Sequence, residues 1–182
     1  ENTIVIFTTD HGDALGDHGL ILKGCRFYEG LTRVPLVFSW PGMIKAGVVS
    51  PALVELMDIP ATLLELAGLP IPEEMQSRSL APLLTGGAGP EEHREAVRCE
   101  FYDALALPDS SFGTMYRDRR YKLVVYHGHG LGELYDLQTD PGEFDNLWDD
   151  PNAAEIKAAL LLKSYDASIL ATDRGGPRKG HF

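Results

Sequence analysis

The sequence predicts an α/β fold in which part of an α/β sheet is followed by a small antiparallel sheet packed by a C-terminal helix. Two short apolar runs rich in β-branched residues, "TIVIFT" at 3–8 and "VPLVFS" at 34–39, are typical of strands buried on both faces of a parallel sheet. Apolar residues then recur at helical spacing from Ala52 to Leu69. This order of strand, loop, strand and helix is that of an α/β sheet.

The segment after this helix separates two predicted domains. Gly68 stands where a C-terminal helix cap is expected, and residues 70–92 are rich in Pro, Gly and acidic side chains. We interpret this segment as an irregular bridge with one short apolar patch. The prediction is therefore a first unit at 1–91, the C-terminal part of an α/β catalytic domain, and a C-terminal subdomain at 92–182.

Beyond the bridge the pattern becomes that of an antiparallel sheet. Four short strand candidates separated by turn residues lie at 96–102, 111–118, 121–127 and 132–137. The short gap after 118 predicts a hairpin between the second and third candidates.

An amphipathic helix is predicted from Ala153 to Ala171, with Asn152 as its N-cap. Its expected apolar stripe consists of Ile156, Leu160, Leu161 and Tyr165.

Composition excludes several classes of function. With 27 acidic and 16 basic residues the net charge is -11, so the chain lacks a broad basic surface for nucleic acid or anionic lipid. No apolar run approaches the roughly 18 residues that cross a membrane. Two distant cysteines, Cys25 and Cys99, are too few for a disulfide framework or a thiolate metal site. We therefore expect a local site for a small molecule, with no nucleic-acid or membrane partner.

The candidate site follows the first predicted strand. Asp10 and His11 come directly after it, where open α/β sheets build their ligand sites, and Gly12 allows a tight turn. A carboxylate and an imidazole can together ligate one metal ion, although a capped turn with a polar surface histidine is the alternative. Lys23 lies between three apolar residues and a glycine, which favours a partly buried cation over a solvated one.

The stretch "TTDHGDALGDHGLILKGCRFYEGLTRVPLVF" at 8–38 resembles the sulfatase family of the alkaline-phosphatase-like superfamily. The resemblance continues through "VELMDIPATLLELAGLP" at 54–70 and "RDRRYKLVVYHGHGLGELYDLQTDPGEFDNL" at 117–147, in the same order as in the family. Within this superfamily, the sequence is similar to the arylsulfatase, choline sulfatase and phosphonate monoester hydrolase types. The resemblance implies an α/β sheet followed by the C-terminal subdomain of such an enzyme.

The resemblance implies roles for four residues. Asp10 and His11 match two ligands of the active-site divalent cation, for which we expect Ca²⁺, with Mn²⁺ as the alternative because imidazole suits it better. Lys23 matches the lysine that binds the oxygens of the transferring sulfate, where an ammonium group stabilises the developing charge. His18 has two open interpretations: a general acid at the leaving group, or a residue that holds the loop.

Two further groups are assigned to structure. Glu29 and Arg33, four residues apart, are expected to form an ion pair that positions the Lys23 loop. His127 and His129 are expected in a hairpin, with substrate contact as the minority interpretation.

One part of the family pattern is absent from the sequence. Neither Cys25, followed by "RFYE", nor Cys99, followed by "EFYD", matches the motif whose Cys or Ser becomes the formylglycine nucleophile. The family's first two Asp ligands are absent too, and Glu1 stands where a methionine would begin a chain. We therefore expect a missing N-terminal part that carries the formylglycine, and a fragment without turnover on its own.

Three hypotheses for function follow. The first is a metal-dependent sulfatase, acting on a small-molecule sulfate ester when complete, in an oligomeric state that the sequence leaves open. The second is a phosphonate monoester or phosphodiester hydrolase, and the third is a non-catalytic module for folding or assembly.

Overall fold

The computed structural model of the chain describes residues 2–103 and 111–172. Strands β1 (Val5–Thr8) and β2 (Leu36–Ser39) form a two-stranded sheet. They pair antiparallel, with Thr8 opposite Leu36, so the expected parallel pairing is wrong. The expected burial is wrong as well, since Val5 is 60% and Phe7 64% exposed. An apolar run specifies a strand but neither its direction nor what covers its faces, which explains both errors.

Short helices and turns connect these strands to the rest of the chain. Helix α1 (Glu29–Thr32) precedes β2 directly, and helix α2 (Asp58–Leu66) is shorter than the predicted 52–69. The predicted cap at Gly68 is confirmed: its φ is 70° and its amide donates to the Glu65 carbonyl. Helix α3 (Ala81–Thr85) forms from the apolar patch in the bridge.

The C-terminal subdomain contains the antiparallel sheet that the sequence predicts. Its strands are β3 (Ala96–Tyr102), β4 (Phe112–Asp118), β5 (Tyr121–Tyr126) and β6 (Leu131–Asp136), each hydrogen-bonded to the next in chain order.

The predicted hairpin between β4 and β5 is confirmed, and one carboxylate closes it. Asp118 Oδ1 accepts hydrogen bonds from the amides of Arg120 at 2.8 Å and Tyr121 at 2.7 Å. A short acidic side chain that bonds the backbone two residues on is the mechanism by which Asp favours turns.

Helix α4 (Ala154–Leu170) packs on this sheet, as predicted. The predicted N-cap at Asn152 is wrong: Asp150 accepts from the Asn152 amide at 2.8 Å, and a short 3₁₀ turn leads into the helix. Leu160 is 3% exposed in the core, whereas Tyr165 is 65% exposed, so the buried face is rotated from the expected stripe. The core around Leu160 contains Tyr116, Leu123, Leu134 and Ala153.

The first unit and the subdomain meet at a buried ionic cluster around Asp58. Its carboxylate, fully buried, accepts from Arg94 and lies 3.0 Å from His93 Nε2. The boundary between 91 and 92 stays a prediction. No helix in the described part of the chain is long and apolar enough to cross a membrane.

Candidate functional site

The Asp10 carboxylate stands at the carboxyl end of β1. Its Oδ1 accepts from the His11 amide at 3.0 Å and from the Thr9 hydroxyl at 3.2 Å, and 84% of the side chain is exposed. Hydrogen bonds from the backbone amides of Asp10 and His11, together with the nearby imidazole, lower the pKa of Asp10. The carboxylate is therefore ionised and open to a ligand.

The His11 ring is held in one tautomer by its own turn. Nδ1 lies 2.8 Å from the Gly12 carbonyl oxygen. Because a carbonyl only accepts, Nδ1 carries the proton, and Nε2 of the neutral ring keeps its lone pair. Nε2 lies 3.6 Å from Asp10 Oδ2. Two ligand atoms at that separation can both reach one ion at bond lengths of about 2.0–2.6 Å.

Gly12 fits this turn closely against helix α1. Its amide donates to the Leu31 carbonyl at 2.9 Å, and a Cβ at Gly12 would lie 2.0 Å from the Gly30 carbonyl oxygen. Only glycine allows this approach, so α1 fixes the position of the Asp10–His11 pair.

Lys23 is half-buried and lines one broad, open groove together with Asp10 and His11. Burial raises the pKa of the Cys99 thiol, and the Lys23 ammonium acts in the opposite direction, which places the lysine near strand β3. The groove also contains the exposed Lys45. The groove extends from the Asp10–His11 turn to the end of helix α4, and three of the four predicted site residues line it.

His18 occupies different surroundings. Its ring stacks on Tyr28, with centroids 3.8 Å apart and planes within 4°, and on Phe144 at 4.8 Å. Its backbone has a positive φ of 49°, and it is not among the described residues that line the groove. Its role as a general acid stays a prediction.

A buried cation that the sequence did not predict holds helix α1. Lys122 of β5 is fully buried, and its Nζ lies 2.8 Å from Glu29 Oε1, 2.7 Å from Glu143 Oε1 and 2.9 Å from the Phe27 carbonyl oxygen. Burial would raise the pKa of Glu29, but Lys122 and Arg117 outweigh it and lower that pKa. A lysine within the apolar strand "YKLVVY" was the available sequence signal.

The expected pair of Glu29 and Arg33 is present but weak, at 3.9 Å with Arg33 largely exposed. His127 lies in the subdomain as expected, with Nε2 2.9 Å from the Thr114 hydroxyl. Among residues 2–103 and 111–172, no three His, Cys, Asp or Glu side chains are grouped so that they could hold a metal ion.

The family described as "N-sulphoglucosamine sulphohydrolase, C-terminal" matches residues 16–167. The chain belongs to this family. A relative, the Delta 4,5-hexuronate-2-O-sulfatase of Bacteroides thetaiotaomicron, is 38% identical over 170 residues, which are 90% of this chain and 34% of that protein. The chain thus spans about a third of the length of this relative.

Two solved structures share the fold. One is described as in complex with its substrate D-glucosamine-2-N,6-O-disulfate; its TM-score is 0.84 at 30% identity, over 98% of this chain and 36% of that one. The other is the phosphonate monoester hydrolase of Silicibacter pomeroyi, with a TM-score of 0.83 at 29% identity, over 95% and 36%. The expected sulfatase-type fold is confirmed.

Proposed function

We propose that this chain contributes half of the active site of a metal-dependent sulfuric ester hydrolase. The observation that carries the proposal is the Asp10–His11 pair, 3.6 Å apart, on a groove that Lys23 also lines, in a chain of a sulfatase family. The structure of a protein bound to a sulfated sugar and the similarity to a 2-O-sulfatase support a small sulfated sugar as the substrate class.

Asp10 and His11 would hold a divalent cation, Ca²⁺ with Mn²⁺ as the alternative. The fit rests on the ionised Asp10 carboxylate and on the Nε2 lone pair that the bond from Nδ1 to Gly12 leaves free. When bound, the cation supplies Lewis-acid stabilisation of charge on the sulfate oxygens. Two ligands are too few for a tight site, so further ligands belong to other parts of the enzyme.

Lys23 binds a non-bridging sulfate oxygen and stabilises the negative charge that develops there during hydrolysis. His18 either gives a proton to the leaving alcohol as a general acid or holds the loop, a role that the stacking of its ring on Tyr28 and Phe144 supports. The nucleophile is a formylglycine outside this sequence, since Cys25 and Cys99 both lack the required surroundings.

A phosphonate monoester hydrolase is the second candidate. Its support is the match to the Silicibacter pomeroyi enzyme and the imidazole ligand at position 11, which suits Mn²⁺. Rates on a sulfate monoester and a phosphonate monoester of the same phenol, measured with the product of the whole reading frame, distinguish the two.

Replacement of Lys23 tests the proposal in the product of the whole reading frame. Because one preorganised donor at the developing charge is worth about 10²–10³ in rate, Lys23→Ala should lower kcat for an aryl sulfate by that factor. Lys45→Ala is the matched control, since it removes an exposed lysine from the same groove, and it should leave kcat within about twofold. Equal losses in both variants would overturn the role of Lys23, and absence of turnover in the unmodified enzyme would favour the non-catalytic module.

A further inference from the structure

The turn after strand β6 contains two adjacent residues whose side chains both reach the first unit. Glu143 is 3% exposed and adopts a positive φ of 59°, an uncommon conformation for a residue with a side chain. Phe144, the next residue, is largely exposed. The turn is closed by Asp140, which accepts from the amides of Glu143 at 3.2 Å and Asp145 at 2.8 Å.

The Glu143 carboxylate accepts a hydrogen bond from the first residue of helix α1 and forms an ion pair with the buried lysine. Oε2 accepts from the Glu29 amide at 2.5 Å, and Oε1 lies 2.7 Å from Lys122 Nζ. Lys122 Nζ lies 2.8 Å from the side-chain oxygen Oε1 of Glu29. Glu29 is therefore fixed at its backbone and at its carboxylate by two residues of the subdomain.

Helix α1 passes this constraint to the candidate metal ligands. The Gly12 amide donates to the Leu31 carbonyl, and Gly12 lies too close to Gly30 for any side chain. The carbonyl of the same Gly12 holds the His11 ring at 2.8 Å. A continuous set of contacts thus joins Glu143 to the imidazole that would ligate the cation.

Phe144 contacts His18, and this contact is separate from the contacts that join Glu143 to His11. Its ring stacks on His18 at 4.8 Å, and the His18 ring also stacks on Tyr28 at 3.8 Å. Stacked aromatic pairs add specific geometry to apolar contact. His18 itself has a positive φ, so this stack orients a residue whose backbone is uncommon.

We propose that Glu143 and Phe144 are positioning residues of the candidate site, Glu143 for the Asp10–His11 pair and Phe144 for the His18 ring. This inference rests on the proposed function at one point, because it takes residues 10–23 to be the site. The subdomain then positions the site, because the turn after β6 orients the Asp10–His11 pair and the His18 ring of the first unit.

Hydrogen exchange of the Gly12 amide tests the part played by Glu143, using the 182-residue chain. Glu143→Gln removes the charge but keeps the side-chain shape, and the Gly12 amide should then exchange about tenfold faster relative to the Leu123 amide in the core. Asp136→Asn is the matched control, because Asp136 is also a buried carboxylate of the subdomain but pairs with Arg120. It should leave the ratio of the two exchange rates unchanged, and an equal change in both variants would overturn the proposal.

The histidine NMR signals test the part played by Phe144. Stacking on an aromatic face shifts the ring protons of His18 upfield, and Phe144→Leu should remove part of that shift without moving the His11 signals. Phe112→Leu is the control, since Phe112 is a partly exposed aromatic residue whose ring contacts Tyr102. If the His18 signals stay unchanged in Phe144→Leu, the role of Phe144 is overturned. Because Phe144 is largely exposed, this variant should fold like the unmodified chain.

Titration with Mn²⁺ separates this inference from the proposed function. Paramagnetic broadening of His11 in the unmodified chain supports the metal ligands. Its absence overturns the metal role of Asp10 and His11, whereas the exchange and ring-shift results decide the positioning roles independently.

Discussion

Gly12 is the residue with the least freedom in the candidate site. The Gly30 carbonyl oxygen occupies the space of a side chain there, only 2.0 Å from the point where a Cβ would lie. Gly12→Ala must push the Asp10–His11 turn away from helix α1, and we expect the free energy of unfolding to fall by about 1–3 kcal/mol. Urea denaturation of the 182-residue chain measures the change.

Gly30→Ala is the control for this substitution. A Cβ at Gly30 meets only the Asp17 carboxylate, at an ordinary 3.5 Å, and the residue lies in a helix. Alanine at a compatible helical position changes stability by about +0.4 to +1 kcal/mol. Equal destabilisation by both substitutions would contradict the close approach at Gly12.

Among the elements, helix α2 depends on one buried carboxylate. Asp58 at its first turn receives hydrogen bonds from the Arg78 amide at 2.8 Å and the Glu55 amide at 3.0 Å, in addition to Arg94 and His93. Burial would raise the pKa of Asp58, but these bonds outweigh it and lower the pKa below its ordinary 3.8. The cluster joins α2 to the segment that enters β3.

The sign of the pH effect follows from that depressed pKa. The unfolded chain binds a proton on Asp58 at a higher pH than the folded chain does, so the stabilisation is complete above the ordinary value and is lost as pH falls through the folded pKa. Asp58→Asn should lower the free energy of unfolding at pH 7 by about 3 kcal/mol, because the largely buried positive charge of Arg94 then loses the negative charge of its Asp58 partner. It should also flatten the acid dependence below about pH 4, as measured by denaturation at each pH.

A surface pair provides the comparison for Asp58. Glu91 and Arg119 are 64% and 45% exposed and lie 3.5 Å apart. Glu91→Gln should change stability by less than about 1 kcal/mol, since exposed pairs contribute little. A loss as large as that of Asp58→Asn would show that burial of the Asp58 cluster is not the cause.

At the same scale, the sequence predicted the elements of the subdomain better than their environment. Strand β3 begins and ends where the alternating, β-rich pattern of 96–102 predicts it. The direction of β1 relative to β2 could not be predicted, because an apolar run of four to six residues has the same pattern in both pairings. The rotated face of α4 has a similar origin: Leu160 and Leu161 are equally apolar, and only packing distinguishes them.

The candidate site was predictable only in its local parts. Asp10, His11 and Lys23 belong to one short stretch, and the motif that contains them predicts their roles. Glu143 contacts Glu29 from 114 residues away, Lys122 contacts Phe27 from 95 residues away, and no periodicity relates such positions. Phe144 beside His18 is unpredictable for the same reason.

At the scale of the whole molecule, the candidate site residues predict the turnover and the metal affinity of the 182-residue chain by itself. Asp10, His11 and Lys23 supply two candidate ligands and an ammonium group, but neither Cys25 nor Cys99 lies in a formylglycine motif, so the 182-residue chain should not hydrolyse an aryl sulfate with Ca²⁺ or Mn²⁺. Its Mn²⁺ affinity should be weak, with a Kd of about 10⁻⁴–10⁻³ M. Turnover above that of a Lys23→Ala control would contradict the first expectation, and calorimetry measures the second.

The bond from Glu143 to Glu29 has a consequence for the order in which the protein is made. Ribosomes add about 5–20 residues per second, so the 114 residues between the two partners delay their contact by roughly 6–23 s. Until Glu143 is made, the Asp10–His11 turn lacks the carboxylate that accepts from the first residue of helix α1. A nascent chain stopped before Glu143 would therefore carry Asp10, His11 and Lys23 without the carboxylate that we propose positions the first two of them.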